Sequence, residues 1–290
     1  MSLRRARSAL SLAAVWLALA SPMAEAAPEP EQGAPALPVH SATLTYQLYT
    51  VGLHPLDFAV ELALDAGRYD IAVRGETKGL IDFFVRWVSH SVTQGQIVGH
   101  RPVPQLVRSL NRFHGTPRRV SIDYASGMPV ANVDPPPTRD DRDPVTPEQQ
   151  QNTIDPVSAV LDLAERLAHG EGCHAQERVF DGRRRFDLLV SDGGMQPLER
   201  NSRSPFAGMA QVCDFTIDKI AGFNRRPSSG SDYDQSQPEK VVYRSWSMPV
   251  LAGLPAMPVR IRGEGSLGTF TLYLTAVVPG TPRPSVADLQ

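Results

Sequence analysis

The chain has 290 residues, 41% hydrophobic and 21% charged, an ordinary globular balance that argues against wholesale disorder. Proline is in excess, at 26 residues or about 9% against a typical ~5%. A formal net charge of −2 leaves no broad basic footprint for nucleic acid, and past the N-terminus no apolar run reaches the ~18 residues a membrane-spanning helix needs.

Arg4, Arg5 and Arg7 precede an apolar stretch from Ser8 to Ala20, and Ala24-Glu25-Ala26 follows. A basic start, a short apolar core and small residues at a cleavage site predict a secretory signal peptide over 1–26, cut between Ala26 and Ala27. Its removal leaves 26 basic and 30 acidic side chains, a net charge of −4. The expected destination is the periplasm. Cys173 and Cys213 both lie beyond the cut, and an even count in an oxidising compartment points to one disulfide. Two buried thiols or a metal or redox pair are the alternatives, and no CxxC spacing supports the last.

Residues 27–39 carry four prolines and few bulky apolar groups, which predicts a flexible leader. Period-two alternation then begins. Ala42, Leu44, Tyr46 and Leu48 share one face, Leu56 to Leu64 repeat the pattern, and Tyr69, Ile71 and Val73 continue it after Asp65-Ala66-Gly67. A short helical turn near Leu80–Phe84 leads into a strand through Trp87, Val92 and Ile97, and two more strands are expected near 105–111 and 118–124. Three consecutive prolines, a charged run and three glutamines predict a mobile, solvated loop over 134–154.

One amphipathic helix follows, at about 156–169. Asp155 suits its N-cap, Pro156 its first position and Gly170 its end. Val157, Val160, Leu161, Ala164, Leu167 and Ala168 mark the apolar face, with Glu165 and Arg166 on the wet side. Asp181-Gly182 then signals a hairpin between Val179-Phe180 and a return strand through Phe186, Leu188 and Val190. Further strands are expected near 210–220, 240–248, 258–263 and 267–278, with a polar loop over 225–239 and a disordered tail over 279–290. The fold class is therefore mainly β: a curled antiparallel sheet or half-barrel of about ten strands, with one central helix, in a single domain over 40–278.

The seven histidines show no metal-ligand spacing, no HExxH and no EF-hand loop. GxSxG is also missing, although a triad assembled in space leaves no such trace. Neither a metal nor a cofactor is expected. Two basic clusters stand out: Arg112, His114, Arg118 and Arg119, and Arg183, Arg184 and Arg185 beside Asp181 and Asp187. Forked guanidiniums can hold an anionic headgroup, or merely protect strand edges. A curled sheet of this size could enclose a cavity for a lipid-sized ligand. The candidate binding residues are Arg119, Arg184 and Trp87.

The stretches YQLYTVGLHPLDF, TIDPVSAVLDL (153–163), RVFDGRRRFDL (178–188) and AQVCDFTIDKIAGF (209–222) occur in that order. Together they resemble the exported bacterial family called domain of unknown function 3108, over about residues 40–278. The resemblance implies an exported β-rich protein and carries no catalytic residues. Where members often have a glycine-rich turn after the first strand, this chain has Val51-Gly52-Leu53-His54-Pro55. The leading functional expectation is a non-enzymatic envelope protein that binds lipid, a cell-wall fragment or another amphiphile. A filled-core partner-binding protein and a hydrolase with a spatially assembled site are the alternatives.

Overall fold

The computed structural model describes residues 40–65, 67–136, 143–223, 241–265, 268–280, 283, 284 and 289. The expected signal peptide and leader, the polar loop over 225–239 and most of the tail lie outside these residues, as does the charged centre of the 134–154 segment.

Among the described residues, thirteen strands form one sheet. The chain first makes β1 (His40–Thr50), β2 (Leu53–Asp65), β3 (Arg68–Thr77), the short helix α1 (Gly79–Phe84), β4 (Trp87–Val98), β5 (Arg101–Phe113), β6 (Thr116–Asp123) and β7 (Val130–Asp134). Helices α2 (Pro147–Gln150) and α3 (Pro156–Ala168) follow, then β8 (Ala175–Phe180), β9 (Arg185–Leu198), β10 (Gly208–Ala221), β11 (Val242–Met248), β12 (Met257–Gly265) and β13 (Gly268–Pro279). Every ladder is antiparallel, and β13 returns to pair with β1. The sheet order is β7-β6-β5-β4-β3-β2-β1-β13-β12-β11-β10-β9-β8, so the two edge strands, β7 and β8, flank the helical connection.

The sheet is curled around α3, as the contacts of that helix require. From β5 to β8 is ten steps across the sheet order, which at about 4.8 Å per step is about 48 Å if flat. A helix is only about 10–12 Å wide. Yet Asp162 of α3 takes a hydrogen bond from Arg101 of β5 at 2.9 Å, while Arg166 lies 3.4 Å from Glu177 of β8. Leu161 and Ala164 also join Leu44, Leu62, Ile71, Val259 and Leu274 in the main apolar cluster. One rod meets strands from both halves because the sheet wraps it. Ladder hydrogen bonds do not close the wrap among the described residues; instead Phe180 of β8 packs with Val107, Val120 and Ile122 of β5 and β6.

All the strands announced by alternation are present, and β7 is added, pairing with β6 through Val133 opposite Val120. The described residues 143–154 of the 134–154 segment carry local structure. Thr146 caps α2 in a reciprocal capping box with Gln149, Thr153 is buried, and Ile154 bridges Val179 with N–H···O distances of 2.9 Å. Glu165 and Arg166 depart from expectation: periodicity puts both on a wet face, but Glu165 is buried and Arg166 nearly so, with its Nε 2.7 Å from Asp162. A helix inside a curl has no broad solvent face, so its charges pair inward. Cys173 and Cys213 form the disulfide, tying the segment after α3 to β10.

Strand registers define two ends of the curl. Trp87 opposite Phe113, Leu56 opposite Thr77 and Thr50 opposite Leu53 bring the β1–β2 turn, α1 and the β5–β6 turn to one end, the mouth. Continuing through β13, β12, β11 and β10, Arg185 opposite Ala221 puts the β8–β9 turn there too. Helix α3 starts mid-strand, where Thr93 of β4 meets Asp155, and runs to the far end, where the His169 ring lies tilted against His100 at 3.6 Å between centroids.

Candidate functional site: a hollow above the central helix

The start of α3 is pinned by buried polar contacts. Asp155 accepts from the N–H groups of Val157 and Ser158 at 2.9 and 3.2 Å, and from Thr93 Oγ1 at 3.1 Å. Ser158 Oγ donates to the same carboxylate and shares a 2.6 Å hydrogen bond with Tyr69 Oη. Tyr69 can lean toward the helix because Gly95 stands beside it, where a Cβ would strike the Tyr69 ring at about 2.6 Å. Burial pushes the Asp155 carboxyl above its usual range, against the hydrogen bonds that favour its charged form.

Above this floor lies a cavity of about 880 Å³, inside the ~300–1,000 Å³ range of small-molecule sites. Asp155, Pro156 and Val157 form its base. One wall is polar: Ser89 and Ser91 from β4, with Ser109 and Asn111 from β5. Trp87, Phe113, His114 and Arg118 stand toward the mouth, and Asp181, Arg183 and Arg184 face them from the β8–β9 turn. Trp87 meets Phe58 edge to face at 6.2 Å across Gly75, where a Cβ would come within 2.9 Å of both rings.

Two members of each basic cluster, His114 with Arg118 and Arg183 with Arg184, thus line one cavity although far apart in sequence. Gly182 is the reason. The Asp181 carboxylate takes the N–H groups of Arg183 and Arg184 at 2.9 and 2.7 Å, and Gly182 adopts φ +87. With no side chain, Gly182 lets the turn press on Val120 of β6.

Beside α3 the hollow continues as two apolar grooves. One, of about 280 Å³, lies between Val157, Val160 and Leu161 and the strand residues Phe58, Val60, Ile71, Val73 and Leu272. The other, of about 230 Å³, lies between Ala159, Val160 and Leu163 and Phe186, Leu188, Phe215 and Ile217. Pro156 lines all three spaces, so they meet at the first turn of α3. Val160, expected in the packed stripe, is instead half exposed, on the wall between the grooves.

Of the expected binding residues, Trp87 and Arg184 line the cavity. Arg184 is held by Asp181 at 2.7 Å and lies 5.8 Å from the Phe223 ring centroid. Arg119 does not line it, which corrects the sequence reading. Its guanidinium is 3.9 Å from Asp134 on the outer face. Strand parity explains the swap: Val120 and Ile122 are inward, so Arg118 shares their face and Arg119 takes the other. The same parity argument, applied to β4 and β5, marks Ser89, Ser91, Ser109 and Asn111 as polar residues on an inward face, a signal that the sequence reading passed over. His114 shares the cavity with serines and carboxylates, but its ring contact is with Phe113 at 4.5 Å, and no serine or carboxylate hydrogen-bonds to it among the described residues. No group of metal-binding side chains occurs among the described residues.

The crystal structure of a β-barrel-like protein of domain of unknown function DUF1849 from Brucella abortus is similar to this chain, with a TM-score of 0.47 and 10% identity, covering 84% of this chain and 99% of that one. No curated protein matches the sequence. A family model described as a protein of unknown function (DUF3108) matches residues 45–275, a span that includes α3, both walls of the cavity and both cysteines, and the chain belongs to that family.

Proposed function

We propose that this is an exported, periplasmic protein that binds one amphiphile in the hollow above α3 and does no chemistry on it. The carrying observation is the change of lining with depth. The mouth and one wall offer Arg118, Arg184, three serines and Asn111, while the grooves beside α3 offer almost only carbon. A polar or anionic head fits the first region and an apolar tail the second. Arg118 has no ion-pair partner among the described residues, so its charge remains available to a ligand. The disulfide supports an oxidising compartment. Among the described residues no helix is long and apolar enough to cross a membrane.

The filled-core reading gains nothing from an interior with a cavity of about 880 Å³. A hydrolase gains no support from His114, which hydrogen-bonds to no serine or carboxylate among the described residues.

Displacement of dansyl-undecanoic acid by lysophosphatidylglycerol, read by fluorescence, tests the proposal. Saturable displacement is expected, weakened roughly tenfold or more by Ser109→Trp, which fills the cavity beside Asn111. Arg118→Ala should weaken the anionic lysolipid and leave a zwitterionic one of equal chain length unchanged. Absence of saturable binding, or Ser109→Trp binding like the wild type, overturns the proposal.

A further inference from the structure

We infer that the mouth of the curl is a docking surface for an anionic lipid bilayer. Large apolar side chains stand into solvent there: Phe83 is 84% exposed, Leu80 75%, Phe84 67% and Phe113 54%. Helix α1 has no buried residue, so it presents these side chains without packing them. Phe83 and Phe84 meet edge to face at 5.2 Å, and the main chain ties α1 to the neighbouring turn, His114 N–H donating to Arg86 O at 2.8 Å. This six-residue helix is held by half-buried Ile81 and by Thr77 Oγ1 donating to Asp82 at 2.7 Å, not by its exposed Leu80, Phe83 and Phe84. Those exposed side chains need another explanation.

The β1–β2 turn supplies an independent indication. Val51 is held at φ +44 and is 77% exposed. A β-branched residue is disfavoured in the left-handed region, where glycine or asparagine would fold the same turn without strain. Val51 therefore spends conformational energy to hold an apolar side chain at the mouth. Phe113 links this rim to the cavity, because it lines the hollow and projects into solvent at once.

Charge identifies the partner. Arg112 and Arg118 stand at the same end of the strands as the apolar tips, and neither has an ion-pair partner among the described residues. Arg86 lies 3.9 Å from Asp82 and is largely exposed. Apolar tips on separate turns, with Arg112 and Arg118 among rim charges that also include Glu76, Asp82 and Asp134, suit an interface in which apolar groups enter the acyl boundary and the arginines meet phosphates. The rim goes beyond the cavity reading: it would place the mouth against lipid whatever fills the hollow.

Co-sedimentation with vesicles tests this, using protein purified after processing by its host. Vesicles of phosphatidylcholine containing phosphatidylglycerol should bind the wild type, less strongly as salt rises. The double variant Phe83→Ser/Phe84→Ser should partition roughly tenfold less or weaker still, with its thermal unfolding unchanged because neither ring is buried. Met195→Ser, which removes an apolar side chain 55% exposed at the far end, should bind as the wild type does. Ser109→Trp should also keep vesicle binding, which separates failure of the rim from failure of the cavity. Wild type that ignores the vesicles, or a double variant that binds them equally, overturns the inference. So does a double variant that leaves vesicle binding intact but abolishes self-association of the wild type, which would assign the rim to protein contact.

Discussion

Asp155 is where the helix, the sheet and the cavity floor are joined, and Asp155→Ala measures that joint. The variant removes an N-cap that accepts two backbone N–H groups, a loss of about 1–2 kcal/mol. It also deprives Thr93 Oγ1 of its acceptor where Thr93 is fully buried, about 1–2 kcal/mol more. Ser158 is spared in part, because its hydroxyl can still hydrogen-bond Tyr69 at 2.6 Å. The sum is about 3 kcal/mol, a large share of a typical 5–15 kcal/mol. Urea unfolding followed by tryptophan fluorescence and circular dichroism reads it as a lower midpoint at constant slope. Asp155→Asn keeps an acceptor and should cost about 1 kcal/mol or less. The two variants also separate in pH. Burial raises the Asp155 carboxyl in the folded state, so the unfolded chain gives up that proton first. The contribution of this group is therefore greatest below the ordinary aspartate range, about pH 4, and is lost as pH rises through the folded value. Wild type should lose stability relative to Asp155→Asn across that interval. A cost below about 1 kcal/mol for Asp155→Ala, or parallel pH profiles, would show that the floor is held by something else.

Two other perturbations test how the walls are held. Cys173→Ala with Cys213→Ala opens a bridge of sequence separation 40, worth about 4 kcal/mol in the chain-entropy model, and reduction of the wild type should lower its unfolding midpoint comparably. Gly182→Ala should cost about 2–4 kcal/mol from its positive φ and its collision with Val120. It should also weaken lysophosphatidylglycerol displacement by moving Arg184 from Arg118, whereas a stable Gly182→Ala protein with unchanged binding would separate the turn from the site.

Much of the architecture was legible in local pattern. Alternation located the strands because inward and outward residues differ in polarity, as at Leu44 and Thr45. The helix was legible from Asp155, Pro156 and Gly170, all of which occupy the terminal positions expected of them. Strand β7 escaped because Val130–Asp134 is short, carries only alanine and asparagine between its valines and precedes Pro135. The helix face was misjudged at Glu165 and Arg166, since periodicity assumes a single wet side and the curl removes it. Alternation through Val120 and Ile122 separates Arg118 from Arg119 in the sequence itself, because Arg118 shares the parity of the inward valine and isoleucine and Arg119 does not.

The hollow itself follows from a mismatch of lengths that periodicity cannot express. Strands β4 and β5 have 12 and 13 residues, so each spans about 40 Å at about 3.3 Å per residue. Helix α3 also has 13 residues, but at 1.5 Å per residue it covers only about 20 Å. A rod that short can fill only part of the curl's length. Which part stays empty depends on where the rod is fastened. Asp155 at Thr93, Ser158 at Tyr69 and Asp162 at Arg101 fasten it toward the far end, each through a contact more than 60 residues apart in sequence. A helix displaced by two turns toward the mouth would bury Val160 among the walls and leave no room above Pro156. The same three polar contacts that hold the helix therefore hold the space open, so weakening them should reduce stability and amphiphile binding together.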